Sequence, residues 1–248
     1  MKKYILLSGL MAASSMAFAQ EEFDALKYSL TDLSGSARYV SMSGAFGALG
    51  GDMTTLGMNP AGIAVFRTSE LSITPSLSSA SAKSLFNGYN SKDSKMNLLI
   101  NNFGYVGSFR TYEESAISNF NFGISYNKVK DYNRNVSVIG KDHSSSLLRK
   151  ICNDQNDGST KLYKYANETW LADKNAVTGV YESILNDGEK VDNSMYMMES
   201  GGIDEWNFSL GANYGHILYM GMSLGVQNID YELKTVYGED FKQGGAFE

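Results

Sequence analysis

The stretch NFNFGISYN, Asn119 to Asn127, decides the fold. Phe120, Phe122, Ile124 and Tyr126 share one parity, and Asn119, Asn121, Gly123, Ser125 and Asn127 share the other. Successive side chains of a strand point to opposite faces, so this stretch is a strand with one apolar and one polar face. The pattern returns after Glu205. There Trp206, Phe208, Leu210, Ala212 and Tyr214 oppose Asn207, Ser209, Gly211 and Asn213. It returns again with Leu218, Met220, Met222, Leu224 and Val226 against Tyr219, Gly221, Ser223, Gly225 and Gln227. Weaker copies come earlier. Leu71, Ile73, Pro75 and Leu77 oppose Ser72, Thr74 and Ser76; Leu99, Phe103, Tyr105 and Phe109 oppose Asn102, Gly104 and Ser108.

A soluble β-sandwich alternates too, but its solvated face usually carries Lys, Glu, Asp and Arg. Here the polar face is uncharged and small, and aromatic residues such as Trp206 and Tyr214 stand at the ends of the apolar face. Both features suit a membrane β-barrel, with its interfacial aromatic girdles. The connections point the same way. Five strands are expected, near 70–79, 96–109, from 118 through Val138, from 204, and near 217–234. Between them fall a long polar loop at 80–95, a short turn at 110–117, a large insertion at 141–203 and a tight turn at Gly215–His216. Long and short connections alternate, as they do in an outer-membrane barrel. Within the insertion, Tyr165, Ala166, Trp170, Val177, Val180, Tyr181, Ile184 and Leu185 recur at helical spacing, which predicts an amphipathic helix, or two, over 162–185.

Composition narrows the function classes. The formal net charge is −6 and charged residues are 19% of the chain. No basic run offers an electrostatic footprint for nucleic acid. Residues 1–19 read as a signal peptide: Lys2 and Lys3, a short apolar run, then Ala17-Phe18-Ala19 as the cleavage site. Cys152, the only cysteine, cannot form an intrachain disulfide. No apolar stretch approaches the ~20 residues of a spanning helix.

Between leader and first strand lies a compact segment, 20–69. It is rich in glycine and holds two short helical turns, one capped by Asp52 and one by Asn59 ahead of Pro60. The run SARYVSMSGAFGALGGDMTTLGMNPAGIAVF, Ser36 to Phe66, resembles the N-terminal hatch of the outer-membrane long-chain fatty-acid and hydrophobic-compound transporter family (FadL/TodX type). The resemblance rests on Gly44, Gly47, the small residues before Asp52, and above all Asn59-Pro60-Ala61-Gly62. It implies an all-β fold: a transmembrane antiparallel barrel, fourteen-stranded in the family, closed by a hatch that Asn59, Pro60, Ala61 and Gly62 hold. It also implies an outer-membrane location, contact with outer-membrane lipid, and a monomer when full length.

The expected function is passive uptake of hydrophobic small molecules such as long-chain fatty acids, without enzymatic chemistry, metal or cofactor. The expected ligand contacts are Phe46, Leu49, Met53, Leu56, Met58 and Phe66, residues that hatch packing explains as well. The alternative is a secreted or surface-exposed β-rich binding protein or adhesin without a pore. Five expected strands against fourteen, and an end at GGAFE without a terminal aromatic strand, lead to the expectation that the chain is the N-terminal part of a longer barrel, truncated.

Three catalytic or metal motifs fail on context. Gly221-Met-Ser-Leu-Gly225 matches a nucleophile elbow but lies inside an alternating strand. Asn153 to Gly158 is one residue short of a calcium loop and reads as a solvated turn. His143 and His216 are isolated from other metal-ligating residues.

Overall fold

The computed structural model describes residues 22–111, 116–158, 160–186 and 188–241. The expected leader, 1–19, and the GGAFE end lie outside the described residues. The chain divides into two compact units. The first comprises Met1–Leu77, Leu98–Tyr132 and Gly201–Tyr231; the second comprises Ser78–Asn97, Asn133–Ser200 and Glu232–Glu248.

The fold is all-β and antiparallel in the main. Its elements are helices α1 (Glu22–Ser29) and α2 (Ala37–Ser41), two 3₁₀ turns (Met53–Thr55 and Pro60–Val65), and strands β1 (Glu70–Phe86), β2 (Tyr89–Arg110), β3 (Ile117–Asp131) and β4 (Arg134–His143). Helices α3 (Leu147–Asp157) and α4 (Lys161–Glu168), the short strands β5 (Ala172–Lys174) and β6 (Tyr181–Ser183), and the long strands β7 (Val191–Tyr214) and β8 (Leu218–Phe241) follow. One six-stranded sheet runs β1-β2-β3-β7, with β4 and β8 also pairing with β7. Among the described residues, β1 and β8 have a neighbour on one side only, so the sheet is open.

In the first unit the register puts like beside like. Tyr105 faces Ile124 and Phe109 faces Phe120 across β2–β3. Phe122 faces Leu210, Ile124 faces Phe208 and Tyr126 faces Trp206 across β3–β7. Cross-strand pairs of this kind are what stabilise a sheet face. The Trp206 and Tyr126 rings meet at 5.4 Å, edge on.

Several sequence expectations are corrected. The loop expected at 80–95 is strand, because Asn87 (φ 47°) and Gly88 (φ 80°) close a two-residue hairpin. The third strand does not run through to Val138. It stops at Asp131 and resumes as β4, and both pieces lie along β7. The fourth strand begins at Val191 rather than 204; Gly201, at φ 103°, carries it through a conformation closed to other residues. The insertion therefore spans 144–190 instead of 141–203. Leu99 does not share a face with Phe103: Leu98 and Ile100 are exposed while Asn102 is buried, so parity changes between Ile100 and Phe103.

The second unit has its own small core of Leu148, Cys152, Ala166, Ala172, Leu185 and Val191. Here the helix expected over 162–185 is α4 followed by the β5–β6 hairpin. Trp170 (φ 60°) and Gly179 (φ 72°) turn the chain where a helix would have had to continue. Asn153 to Asp157, expected as a turn, is the C-terminal part of α3. Ser146 caps α3, and the Glu239 carboxylate accepts from the Leu147 N–H at 2.6 Å and from the Ser146 hydroxyl at 2.7 Å.

Candidate functional site

The sheet of the first unit is inverted relative to a water-soluble one. Its polar face is the buried one: Asn102, Asn121 and Ser125 are 0% exposed, and Asn207 is 1% exposed. Its apolar face is open: Phe208 is 46%, Leu210 45% and Met222 67% exposed. Leu71, Ile73, Phe103, Phe109, Phe120, Ile124 and Leu224 continue this open band over β1, β2, β3 and β8.

The N-terminal segment covers the polar face. Four glycines, one on each of β2, β3, β7 and β8, make the close approach possible. A Cβ at Gly104 would stand 2.9 Å from the Met53 sulfur, and one at Gly123 2.7 Å from Ile63 Cδ1. A Cβ at Gly211 would stand 2.4 Å from Ile63 Cγ2, and one at Gly221 2.2 Å from the Pro60 carbonyl oxygen. Met53, Leu56, Ile63 and Phe66 form one cluster with Val106 of β2.

Hydrogen bonds then fix what packing brings near. Asn121 Nδ2 donates to the carbonyls of Ile63 at 2.5 Å and Phe66 at 2.8 Å. Asn119 Nδ2 donates to Ala64 O at 3.3 Å and Phe66 O at 3.1 Å, and the Ser108 hydroxyl also donates to Phe66 O at 3.1 Å. The Phe66 N–H already closes the turn on Ile63 O, and the sheet's amides add donors to it and to the Ala64 and Phe66 carbonyls beyond. Higher on the same face, Asn102 Nδ2 donates to Asn127 Oδ1, while Asn207 and Gln227 donate to the Glu205 carboxylate. Asn102 Oδ1, Ser125 Oγ and Ser209 Oγ are buried without a protein partner among the described residues.

Within the segment, Asp52 caps the first 3₁₀ turn as expected: its Oδ1 accepts from Thr54 N at 2.9 Å. Asn59 stands at the cap position of the second turn but does not cap it. Its Nδ2 donates instead to Gly47 O at 2.7 Å and ties the two halves of the segment together. Pro60 opens that turn, and its carbonyl is the group that Gly221 admits. The Ala61 amide lies beside the same glycine. Gly62 lies backbone to backbone with Gly50, whose φ is 62°, and the Gly51 N–H donates to the Gly62 carbonyl.

The six expected ligand contacts do not form one surface. Met53, Leu56 and Phe66 belong to the buried cluster, and Phe46 is buried apart from it, under the Arg38 guanidinium. Leu49 and Met58 are exposed. Sequence reasoning did not single out Ile63, Asn119 or Asn121, although the unbroken run of amides on one parity was their signal.

The first unit carries an apolar groove and a polar cleft among the described residues. The groove, of ≈ 480 Å³, lies on the open face between Phe122, Ile124, Phe208, Leu210, Met222 and Leu224. The cleft, of ≈ 280 Å³, is lined by Arg67, Arg110, Ser118, Asn119 and His216. Ser223 sits within β8, and no group of three metal-ligating side chains occurs among the described residues. Comparison of the chain with protein-family models, with curated proteins and with solved structures finds no match in any of the three.

Proposed function

We propose that the chain forms the hatch and part of the wall of an outer-membrane channel for passive uptake of hydrophobic compounds such as long-chain fatty acids. The observation that carries this is the inversion of the sheet: amides and hydroxyls buried under the N-terminal segment, aliphatic and aromatic side chains left open. A soluble monomer rarely exposes an apolar patch of more than a few hundred Å². This band exposes on the order of 1,000 Å², worth roughly 25 kcal/mol if left in water. That exceeds the whole stability of an ordinary domain, about 5–15 kcal/mol. Hydrocarbon tails of lipid remove the cost.

The same assignment accounts for the polar face. A lumen tolerates Asn, Ser and Gly, and small residues leave room for a plug. The resemblance of Ser36 to Phe66 to the fatty-acid transporter hatch agrees with this placement. In lipid an open sheet edge is not tolerated, so closure calls for further strands between β8 and β1. Transport needs no covalent step: the solute leaves water for apolar surface and passes when the hatch shifts.

The test is fractionation followed by reconstitution. The chain is expected in the outer-membrane fraction, resistant to a high-salt and carbonate wash and extracted by detergent. Proteoliposomes of the gene product are then expected to take up labelled oleate faster than empty liposomes. Recovery in the aqueous phase would favour the secreted or surface-exposed binding protein or adhesin, with its apolar band covered by another sheet.

A further inference from the structure

The polar cleft at the turn end of the first unit is lined from backbone positions that the sheet register and the N-terminal segment set. Arg110 and Asn119 are direct partners in the β2–β3 register, and Asn119 is the partner of Asn213 in the β3–β7 register. One row of the sheet thus carries Arg110, Asn119 and Asn213 side by side. The register shifts between Ile117 and Asn119, so Ser118 is an extra residue and is re-aimed by the bulge. Arg67 enters from the N-terminal segment. It directly follows Phe66, whose carbonyl is held by Ser108, Asn119 and Asn121.

His216 is oriented as firmly. Its backbone N–H donates to Asn213 Oδ1 at 2.9 Å, which fixes that amide the other way round toward the ring. Asn213 Nδ2 then lies 2.9 Å from His216 Nδ1 and donates to it. Nδ1 is therefore an acceptor, and the ring proton is on Nε2, free to donate.

We infer that this cleft is a binding site for one oxyanion, a carboxylate or phosphate group. Among the described residues it is lined by two guanidinium groups, an imidazole donor, a serine hydroxyl and a spent amide, with no carboxylate. Neither Arg67 nor Arg110 has an ion pair or hydrogen bond among the described residues. Arginine's planar fork matches carboxylate and phosphate oxygens, and two such forks with a hydroxyl saturate a single oxyanion. The site lies wholly in the first unit and does not depend on the wall facing lipid.

The test uses the full chain in non-ionic detergent, titrated calorimetrically with inorganic phosphate, octanoate and dihexanoyl phosphatidate, and with neutral octanamide as control. Saturable binding of one anion per chain is expected, with octanamide silent. Binding of free phosphate or octanoate assigns the site to soluble anions; binding of phosphatidate alone assigns it to a lipid headgroup. Arg110→Gln and the exposed-site variant Arg67→Glu should each weaken binding by roughly tenfold or more. Retention of the wild-type thermal transition by Arg67→Glu keeps the result interpretable if Arg110→Gln misfolds. Absence of saturable binding, or binding indifferent to both substitutions, overturns the proposal.

Discussion

Asn121 donates one side-chain amide to two carbonyls of the same 3₁₀ turn, those of Ile63 and Phe66, at 2.5 and 2.8 Å. One residue of the sheet thus spans the end of the turn, beside the turn's own Phe66 N–H to Ile63 O bond. Asn119, one step along the same face, shares the Phe66 oxygen.

Replacing Asn121 with Leu should therefore loosen the N-terminal segment without dissolving the sheet. Each carbonyl loses one donor and keeps another, Ile63 O the Phe66 N–H and Phe66 O the Asn119 amide and Ser108 hydroxyl, so the loss should be about 1 kcal/mol. Amide exchange in residues 53–66 should accelerate while β3 and β7 stay protected. Equal exchange in the variant and the wild type would show that the amide contributes nothing to seating.

Gly221→Ala should cost roughly 1–3 kcal/mol, because its new methyl would sit 2.2 Å from the Pro60 oxygen, a backbone atom that cannot swing aside. Gly47→Ala, with open space around it, should be close to neutral. The difference between the two thermal midpoints measures the steric effect alone. Similar midpoints would mean that the segment does not rest on β8.

Phe208→Lys separates lipid from water at the apolar face. Within a bilayer the charge should cost about 2–4 kcal/mol, lowering the urea midpoint in liposomes and the yield from the membrane fraction. On a face bathed by water the same change should raise solubility and leave stability nearly unaltered. The second pattern would refute the membrane assignment.

Cys152 lies in the core of the insertion, and burial pushes its thiol pKa up. The unfolded chain gives up this proton first, at about pH 8.5. Stability of the folded insertion is therefore unaffected below that pH and falls as pH rises from there toward the folded value. Alkylation by iodoacetamide at pH 8 should be slow until urea is added, and Cys152→Val should lose less stability than wild type between pH 8 and pH 10. Rapid alkylation of the native protein would contradict the buried placement.

The strands were legible because their alternation is strict where it matters. From Asn119 to Asn127 every second residue is apolar, and no other backbone separates the two sets so cleanly. Asn87-Gly88 was equally legible, being a strong signal for a two-residue hairpin. Ser, Lys and Asn around it resemble a loop and mask that signal; in β1 and β2 these residues still alternate between more and less exposed positions. The parity change near Ile100 left no sequence mark, since Leu98, Leu99, Ile100 and Asn101 suit either face.

The insertion was misread for a different reason. Apolar residues in a small satellite core recur at spacings that a helix and a hairpin can share. Positive φ at Trp170 decides between them, and a tryptophan gives no warning of it. The seating of the N-terminal segment was half visible. Glycine at 104, 123, 211 and 221 and asparagine at 119 and 121 announced a small, polar face. Which backbone each would meet depends on register between segments more than forty residues apart, and no local pattern encodes that.

The two-residue hairpin at Asn87–Gly88 has one more consequence. With so little chain at that tip, and a three-residue link at Gly215–Ile217, variation has more room in 144–190 than at either turn. Between Ser144 and Lys190 the chain packs largely on its own residues, Leu148, Cys152, Ala166, Ala172 and Leu185, so changes there that spare this core reach the sheet least.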